Sequence, residues 1–374
     1  MLSSPRRRQP KAAHFLLVPE LLYSPPNRAI IEALLSCGYG VHVFSPGTPA
    51  DPSGYGSNVQ THRAEYSNRW LSRHLLDPRW WSFDCFSGTS EDPLAVVGLL
   101  AALNGKPSFA LVDEIKSGAY RGNSPERWKQ LCRWAMRRAR FTIVNDDSRV
   151  ALLKDYAGLA PQADVVVYPG CFHQPPPPDP AIRSSLRRRW GLPEQALVIA
   201  SSGAFNLTAG ADWLVQALQE ETSLHAVIQP LAVSPLCLFL LQRLGLDARL
   251  YLQQERLSWQ EAWQSAVALD IGLAIYTNPA PQFQHMGTSS NRLCMFIAMG
   301  VPVIASRQES FHFIEEYDCG VLVDNYDEFL AAIRHIGQNL DRMRQNCYRC
   351  FGEYIMPPER YPRLRQAIAS IQAT

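Results

Sequence analysis

The sequence has no hydrophobic run that approaches the roughly 18 apolar residues a membrane span requires. It also has no excess of one charge, because 36 Lys and Arg against 34 Asp and Glu leave a formal net charge of +2. This balance argues against an electrostatic nucleic-acid binder, which carries a clear basic excess. The nine cysteines form no compact disulfide framework, and their odd number excludes complete pairing within the chain.

No secretory signal is recognisable at the N-terminus, where Glu20 interrupts a short apolar stretch that follows a basic start. A signal needs a longer apolar core and a small-residue cleavage site. We therefore expect a reducing, cytoplasmic compartment. The one close cysteine pair, Cys347 and Cys350, has no second pair beside it, and a zinc site needs about four ligands. We predict no metal site.

What the sequence does contain is two series of short apolar strands separated by helical patterns, as is typical of parallel sheets covered on both faces. In the first series we predict strands at 14–19, 40–45, 81–86, 108–113, 141–145 and 164–168, and helices near 26–37, 93–104, 125–139 and 147–157. Between them, residues 47–80 are rich in Gly, Pro, Ser and Asn, and we predict a long loop there.

Four consecutive prolines at 175–178 separate the two series. Such a run joins neither a helix nor a central strand and favours an extended spacer. In the second series we predict strands at 196–202, 225–229, 249–252, 271–276, 301–305 and 320–324, and helices at 209–219, 234–244, 258–267, 290–299, 326–337, 338–352 and 360–372.

The chain is therefore predicted to be an α/β protein with two Rossmann-like parallel-sheet domains facing a cleft. The predicted segments are a basic flexible N-terminus at 1–12, an N-terminal domain at 13–174, a proline-rich linker at 175–190, a C-terminal domain at 191–355 and a final helix at 356–374. In open parallel sheets, ligands bind beyond the carboxyl ends of the strands, so loops that follow strands are the candidate sites.

The segment from 286 to 306 is the strongest candidate for a binding motif. Gly287 permits a tight backbone, and Ser289, Ser290 or Asn291 can cap the helix that follows. The N–H groups and positive dipole end at such a helix start attract a phosphate, to which Arg292 can add a bidentate contact. The same residues also fit an ordinary capped helix followed by a strand.

Residues 290–293 with 298–305 resemble the donor-binding motif of GT-B nucleotide-sugar glycosyltransferases, most of all that of the retaining group with paired glutamates. Residues 200–205 followed by 210–214 resemble the first strand, loop and helix of the family's donor domain, and 320–323 resemble a late strand. The resemblance implies a metal-independent glycosyltransferase that moves a sugar from a nucleotide-diphosphate sugar to an acceptor hydroxyl. It implies no cofactor beyond that co-substrate, and a C-terminal helix that crosses back to the N-terminal domain.

The sequence departs from the family at both glutamate positions, where it has Gly287 and Met295, and it has no Arg or Lys in the loop 203–210. A diphosphate would then be neutralised by Arg292, backbone N–H groups and serine hydroxyls. Two alternatives stay open: a catalytically inactive GT-B-like binding or regulatory protein, and a sugar-nucleotide epimerase of the same fold. The predicted donor-binding residues are Ser202, Gly203, Asn206, His285, Gly287, Ser289, Ser290, Asn291 and Arg292.

Asp113 and Glu114 end a buried strand of the N-terminal half and are the candidate catalytic residues. A carboxylate there can act as general base on an acceptor hydroxyl, or hold that hydroxyl by hydrogen bonds. As neighbours at a strand end they point to opposite sides, so only one of them faces the cleft. Alternatively, they cap the strand end or pair with Lys116 or Arg121.

Ser24 and Arg28 open the first helix and are candidate contacts on the acceptor or phosphate side. The acceptor itself is not identified by the sequence and is a saccharide, a lipid-linked molecule or another small molecule. We predict that the basic clusters 137–140 and 187–189 are solvated helix faces. Together with 6–8 they leave open a weak peripheral contact with an anionic membrane surface.

Overall fold

A computed structural model describes residues 8–115, 125–243, 249–253 and 255–373 of the chain. These residues divide into two compact units. The N-terminal unit comprises the described residues up to Tyr168 together with those from Glu359 onward, and the C-terminal unit comprises Pro169–Pro358. Each unit is an α/β layer structure built on its own parallel sheet, so the predicted fold class of two parallel-sheet α/β units is confirmed.

The N-terminal unit has a seven-stranded parallel sheet in the order β3-β2-β1-β4-β5-β6-β7. Its strands are β1 (Lys11–Phe15), β2 (Gly40–Ser45), β3 (Val59–Arg63), β4 (Cys85–Thr89), β5 (Ser108–Val112), β6 (Thr142–Val144) and β7 (Val165–Val167). Its helices are α1 (Pro25–Ser36), α2 (Asn68–His74), α3 (Glu91–Asn104), α4 (Glu126–Arg138), α5 (Arg149–Ala157) and, from the end of the chain, α14 (Arg360–Ser370).

The predicted loop at 47–80 is wrong, because this stretch contains both β3 and α2. Strand β3 pairs in parallel with β2 at the edge of the sheet, and only Val59 of its five residues is buried. An edge strand with one buried side chain shows no apolar run. Helix α2 is short and buries only Trp70 and Leu71, which is too little to produce a helical period.

The C-terminal unit has a six-stranded parallel sheet in the order β10-β9-β8-β11-β12-β13. Its strands are β8 (Leu197–Phe205), β9 (Leu224–Val233), β10 (Leu250–Leu252), β11 (Ile271–Ala274), β12 (Val303–Ser306) and β13 (Gly320–Val323). Its helices are α6 (Pro180–Arg189), α7 (Ala211–Glu220), α8 (Pro235–Arg243), α9 (Trp259–Ser265), α10 (Pro281–Gln284), α11 (Asn291–Ala298), α12 (His312–Glu316) and α13 (Tyr326–Cys350).

The structure differs from the predicted linker at 175–190. The C-terminal unit already begins at Pro169, and α6 occupies 180–189 with Asp179 accepting a hydrogen bond from the Ala181 N–H at its start. Proline at the first helical position is favourable because its missing N–H would have no partner there anyway. The four prolines at 175–178 themselves belong to neither a helix nor a strand, as predicted.

The predicted solvated cluster at 187–189 is wrong for Arg187, whose side chain is fully buried. Its guanidinium bonds Asp270 at 2.6 Å, and Arg183 and Arg344 bond the other oxygen of the same carboxylate at 2.7 and 2.6 Å. The Val198 N–H completes the set at 2.9 Å. Arg187 therefore joins α6 to the start of β8 and β11 instead of facing solvent. Arg6 and Arg7 lie outside the described residues.

The two helices predicted at 326–337 and 338–352 are one helix, α13, with a break in its helical backbone at Asn339. The final helix α14 belongs to the N-terminal unit, where Leu364 and Ile368 are fully buried. This confirms the expected return of the C-terminal helix. None of the helices in the described parts of the chain is both long enough and apolar enough to span a membrane.

Candidate functional site

The C-terminal unit has a cavity of about 280 Å³ on the carboxyl-terminal side of four strands of its sheet, and we refer to it as the ligand pocket. The second halves of β8 and β9 and the residues that follow β10 and β11 line it, together with α9 and the start of α11. Its lining residues are Ser202, Gly203 and Ala204, Gln229 and Pro230, Gln253, residues 255–259, Ala262, Trp263, Tyr276, Met286, residues 289–292 and Met295.

The start of α11 presents backbone donors at this pocket. The Ser290 hydroxyl caps the helix by accepting from the Leu293 N–H at 3.2 Å, and the Ser290 carbonyl accepts from the Cys294 N–H. The N–H groups of Asn291 and Arg292 make no hydrogen bond with the described residues, as is usual in a first helical turn. Two donors and the positive end of the helix dipole are therefore available to an anion.

Arg292 adds a cation with incomplete hydrogen bonding. Its guanidinium lies over the Tyr276 ring at 5.0 Å, and its buried Nη1 has no hydrogen-bond partner among the described residues. Leaving a buried donor unpaired costs about 1–3 kcal/mol, and more for a charged group. The Tyr276 hydroxyl is bonded to Ser290 at 2.5 Å, so the stacking ring is itself held by the helix cap. An anionic oxygen on a ligand would satisfy Arg292.

Gln229 supplies an unpaired acceptor to the same pocket. Its Nε2 donates to the Ser265 hydroxyl at 2.8 Å, and that hydroxyl donates to the Ala262 carbonyl at 2.8 Å. Because the hydroxyl proton is used in this second bond, Ser265 must accept from Gln229, which fixes the orientation of the amide. The Oε1 of Gln229 is buried and has no hydrogen-bond partner in the described part of the chain.

Six of the nine predicted donor-binding residues line this pocket: Ser202, Gly203, Ser289, Ser290, Asn291 and Arg292. The other three lie outside its lining. Asn206 accepts from the Thr208 hydroxyl at 2.9 Å, Gly287 donates its N–H to the Ser310 hydroxyl at 3.1 Å, and His285 follows the last residue of α10. Gly287 thus ties the loop before α11 to Ser310 and is not part of the pocket lining. Met295, where the family has a glutamate, lines the pocket.

Asp113 and Glu114 lie where β5 of the N-terminal unit ends. Asp113 Oδ1 accepts from the Ser90 hydroxyl at 2.9 Å, and its carbonyl accepts from Arg149 Nη1 at 2.8 Å. Ser90 has a φ of +63°, a conformation that non-glycine residues adopt infrequently. Glu114 is exposed. Lys116 and Arg121, the alternative partners of these carboxylates, lie outside the described residues, so the catalytic assignment stays a prediction.

Ser24 and Arg28 lie at the start of α1, also in the N-terminal unit. The buried Ser24 hydroxyl donates to the Leu21 carbonyl at 2.9 Å and accepts from Asn27 Nδ2 at 2.9 Å. Arg28 Nε bonds Glu32 one turn along the helix at 2.8 Å. Both residues thus have structural partners within their own unit, and their role toward a ligand stays a prediction.

The pocket contains residues that the sequence did not single out. Gln229 lies in the second half of β9, Tyr276 follows the end of β11 by two residues, and Trp259 and Trp263 lie on α9. The available signal was positional, because the ligands of open parallel sheets bind beyond the carboxyl ends of the strands. No local motif marks these four residues. Gln229 and Tyr276 belong to separate segments of the chain, and Trp259 and Trp263 have the pattern of ordinary aromatic residues on a helix.

No protein-family model matches the chain, and no curated protein sequence matches it. Solved structures do. Sucrose-phosphate synthase from Thermosynechococcus elongatus superposes with a TM-score of 0.69 at 15% identity, over 97% of each chain. Anabaena HepE in complex with UDP-glucose gives 0.70 at 16% identity, over 97% of this chain and 99% of that one. A glycosyltransferase from Rickettsia africae gives 0.68 at 14% identity, over 97% and 99%. At these identities the likeness shows the fold, which is GT-B.

Proposed function

We propose that this protein is a glycosyltransferase that moves a sugar from a nucleotide-diphosphate sugar to an acceptor hydroxyl. The observation that carries the proposal is the unpaired Nη1 of Arg292, beside two open N–H groups at the start of α11, in one pocket of the C-terminal unit. A diphosphate matches this set of donors. The GT-B fold supports the proposal, as do the HepE structures with UDP and UDP-glucose.

In the proposed reaction the bond between the sugar C1 and the diphosphate breaks and its electron pair stays on the diphosphate. A new bond forms between C1 and the acceptor oxygen, and the proton of the acceptor hydroxyl is released to solvent. Negative charge develops on the leaving diphosphate. Preorganised donors aimed at that charge lower the barrier, and Arg292 with the N–H groups of Asn291 and Arg292 would supply them. We propose that these groups neutralise the diphosphate without a metal ion.

A second candidate is a GT-B protein that binds a nucleotide sugar without transferring it. Gly287 and Met295 favour it, because they occupy the positions of the paired glutamates in the family that the sequence resembles. A methionine cannot bond the ribose of the donor as a carboxylate does. This candidate predicts binding without release of the nucleoside diphosphate.

The test is to incubate the protein with a panel of nucleotide sugars, starting with UDP-glucose, and to follow thermal stabilisation and nucleoside diphosphate release, each with and without EDTA. We expect stabilisation and release in both conditions. Stabilisation without release for every acceptor offered would favour the binding protein, and no stabilisation by any nucleotide would reject both candidates. Loss of activity in EDTA, restored by a divalent cation, would reject the metal-free mechanism.

Arg292→Gln is the variant that tests the phosphate assignment. We expect roughly tenfold or greater loss of nucleoside diphosphate affinity, because a charge-assisted contact contributes about 1.5–3 kcal/mol. The matched control is Arg342→Gln, since Arg342 is 56% exposed and bonds Asp318 on another face of the same unit. Equal affinities for the two variants would show that the phosphate lies elsewhere.

We further propose that the protein works in the cytoplasm and that its acceptor binds to the N-terminal unit. No disulfide joins any of the nine cysteines, all of which lie in the described residues, and this supports a reducing compartment. Fractionation of cells that express the chain tests the location. Protein that is attached to membranes would be recovered in the vesicle fraction.

A further inference from the structure

The first residues of the C-terminal unit, 169–172, pack directly behind the ligand pocket. Gly170 and Phe172 of this connecting segment are buried. The Gly170 N–H donates to the Thr288 carbonyl at 2.8 Å, one residue before the lining residue Ser289. The Phe172 ring meets the ring of Trp263, which also lines the pocket, edge to face at 4.9 Å. The connecting segment thus supports two separate walls of the pocket.

Gly170 is required by close approach and not by its backbone conformation, since it is not among the glycines with positive φ. A Cβ at this position would lie 2.2 Å from Asn291 Oδ1 and 3.0 Å from the Ser289 carbonyl oxygen. Carbon and oxygen atoms do not approach within 2.2 Å without a bond, so any side chain at 170 would displace the Asn291 amide. The missing side chain therefore creates the space that the amide oxygen occupies.

The position of this oxygen determines what Asn291 offers to a ligand. The oxygen and nitrogen of an amide leave the same carbon in different directions, so an amide whose Oδ1 lies against Gly170 turns its two N–H donors away from Gly170. Asn291 lines the pocket beside Arg292. An anionic or hydroxylated ligand could accept hydrogen bonds from these N–H groups in addition to the donors already described at the start of α11.

We propose that Gly170 is a positioning residue for the ligand: it acts through Asn291 and Ser289 by fixing the amide and the loop at the start of α11. The proposal deepens and rests on the proposed function, because the ligand concerned is a nucleoside diphosphate. It also makes the connecting segment sensitive to whether the pocket is occupied, since Gly170 is bonded to the loop that binds the ligand.

The experiment compares Gly170→Ala with Gly352→Ala, using UDP titrated by calorimetry. Gly352 is the matched control, because a Cβ there meets no atom within 4 Å and its φ is not positive. We expect UDP affinity to fall roughly tenfold in Gly170→Ala, a change of 1.4 kcal/mol on the affinity scale, and to stay unchanged in Gly352→Ala. Equal affinity in the two variants would overturn the proposal.

A double-variant cycle shows whether Gly170 acts through Asn291. We expect Asn291→Ala alone to weaken UDP binding, and Gly170→Ala added to Asn291→Ala to weaken it by less than twofold more, because the colliding oxygen is then gone. Independent sites would give additive losses. Fully additive losses would therefore overturn the proposal, even if each single variant is impaired.

Hydrogen exchange on the unmodified protein gives a measurement that does not depend on a variant folding. We expect UDP to slow exchange of the backbone N–H groups at 170–172, and an unchanged rate in protein that demonstrably binds UDP would overturn the proposal. If the unmodified protein binds neither UDP nor any other nucleotide, the proposed function itself is rejected and this inference with it. If it binds UDP and only the Gly170 effects are missing, the proposed function stands and this inference alone is wrong.

Discussion

His14 illustrates at the residue scale how burial sets the charge of a side chain in this molecule. It is fully buried in β1, where Nδ1 bonds the Ser87 hydroxyl at 2.8 Å and Nε2 bonds Asn27 Oδ1 at 3.0 Å. Asn27 uses its Nδ2 to donate to Ser24, so its Oδ1 must accept from His14 Nε2–H. A neutral imidazole then accepts from Ser87 at Nδ1. Burial lowers the pKa of His14 from 6.5 to about 4.

This arrangement predicts a loss of stability in mild acid. Because the folded-state pKa is below the unfolded value, protonation favours the unfolded chain. The contribution of neutral His14 to the free energy of unfolding is complete above about pH 6.5. It is lost as the pH falls toward 4, and the loss is about 3 kcal/mol in all. Urea unfolding of the protein at pH 7 and pH 4.5 measures it. In His14→Gln we expect lower stability at pH 7 and a smaller further loss at pH 4.5.

His335→Gln is the control, since His335 lies on an exposed face of α13. We expect this substitution to have only a small effect on the free energy of unfolding, and the same effect at pH 7 and at pH 4.5. If His14→Gln retains the full acid sensitivity of the unmodified protein, the acid sensitivity comes from other groups, and His14 does not contribute to it.

Arg292 and Arg187 show what the sequence can and cannot predict about single residues. Arg292 was predicted because it stands two residues after a helix cap inside a recognisable motif, and the structure places it in the lining of the ligand pocket. Arg187 belongs to a run of three arginines that has the pattern of a solvated helix face, and its partner Asp270 lies 83 positions further along the chain. Only the packing of α6 against the segment 266–270, just before β11, brings the two together, and no local pattern contains that information.

At the scale of elements, close packing of α11 on the sheet is what places the candidate phosphate site. Gly272 of β11 faces the buried ring of Phe296 on α11, and a Cβ at 272 would lie 2.2 Å from that ring. The helix that carries Arg292 therefore rests on a strand position that has no side chain. Strands with buried apolar runs, such as β5 and β8, were predictable, whereas the edge strand β3 and this contact between elements were not.

Gly272→Ala should therefore lift α11 from the sheet. Overpacking of this kind costs about 1–3 kcal/mol, and the displaced helix should also bind a nucleoside diphosphate more weakly. Denaturant unfolding and UDP titration measure the two effects. When Phe296→Leu is added to Gly272→Ala, it should restore part of the stability and part of the UDP affinity, because it removes the ring that the new methyl group meets. Failure of this second substitution to restore either property would show that the contact with Phe296 does not set the position of α11.

At the scale of the whole molecule, the chain crosses between its units twice, after Tyr168 and before Glu359. The two-unit organisation was predictable because the strand and helix pattern starts again after the proline run. The boundary itself was not predictable. A proline run indicates an extended backbone, but it does not indicate which sheet the flanking residues pack on. Residues 169–174 precede the prolines and yet belong to the C-terminal unit.

The second crossing makes the N-terminal unit depend on the last residues of the chain. Helix α14 packs on α1 and β7, with Leu364 and Ile368 fully buried, and the Gln372 amide donates to the Cys37 carbonyl at 2.9 Å.

Truncation after Pro358 would expose this apolar surface, at a cost of about 1.5–3 kcal/mol for each of the two side chains. We expect hydrogen exchange to accelerate in α1 and β7 of the truncated protein and to stay unchanged in β8 and β11. The Leu364→Ala variant of the full chain should show the same pattern to a smaller degree, and equal acceleration in both sheets would mean that the helix stabilises the whole molecule and not the N-terminal unit alone.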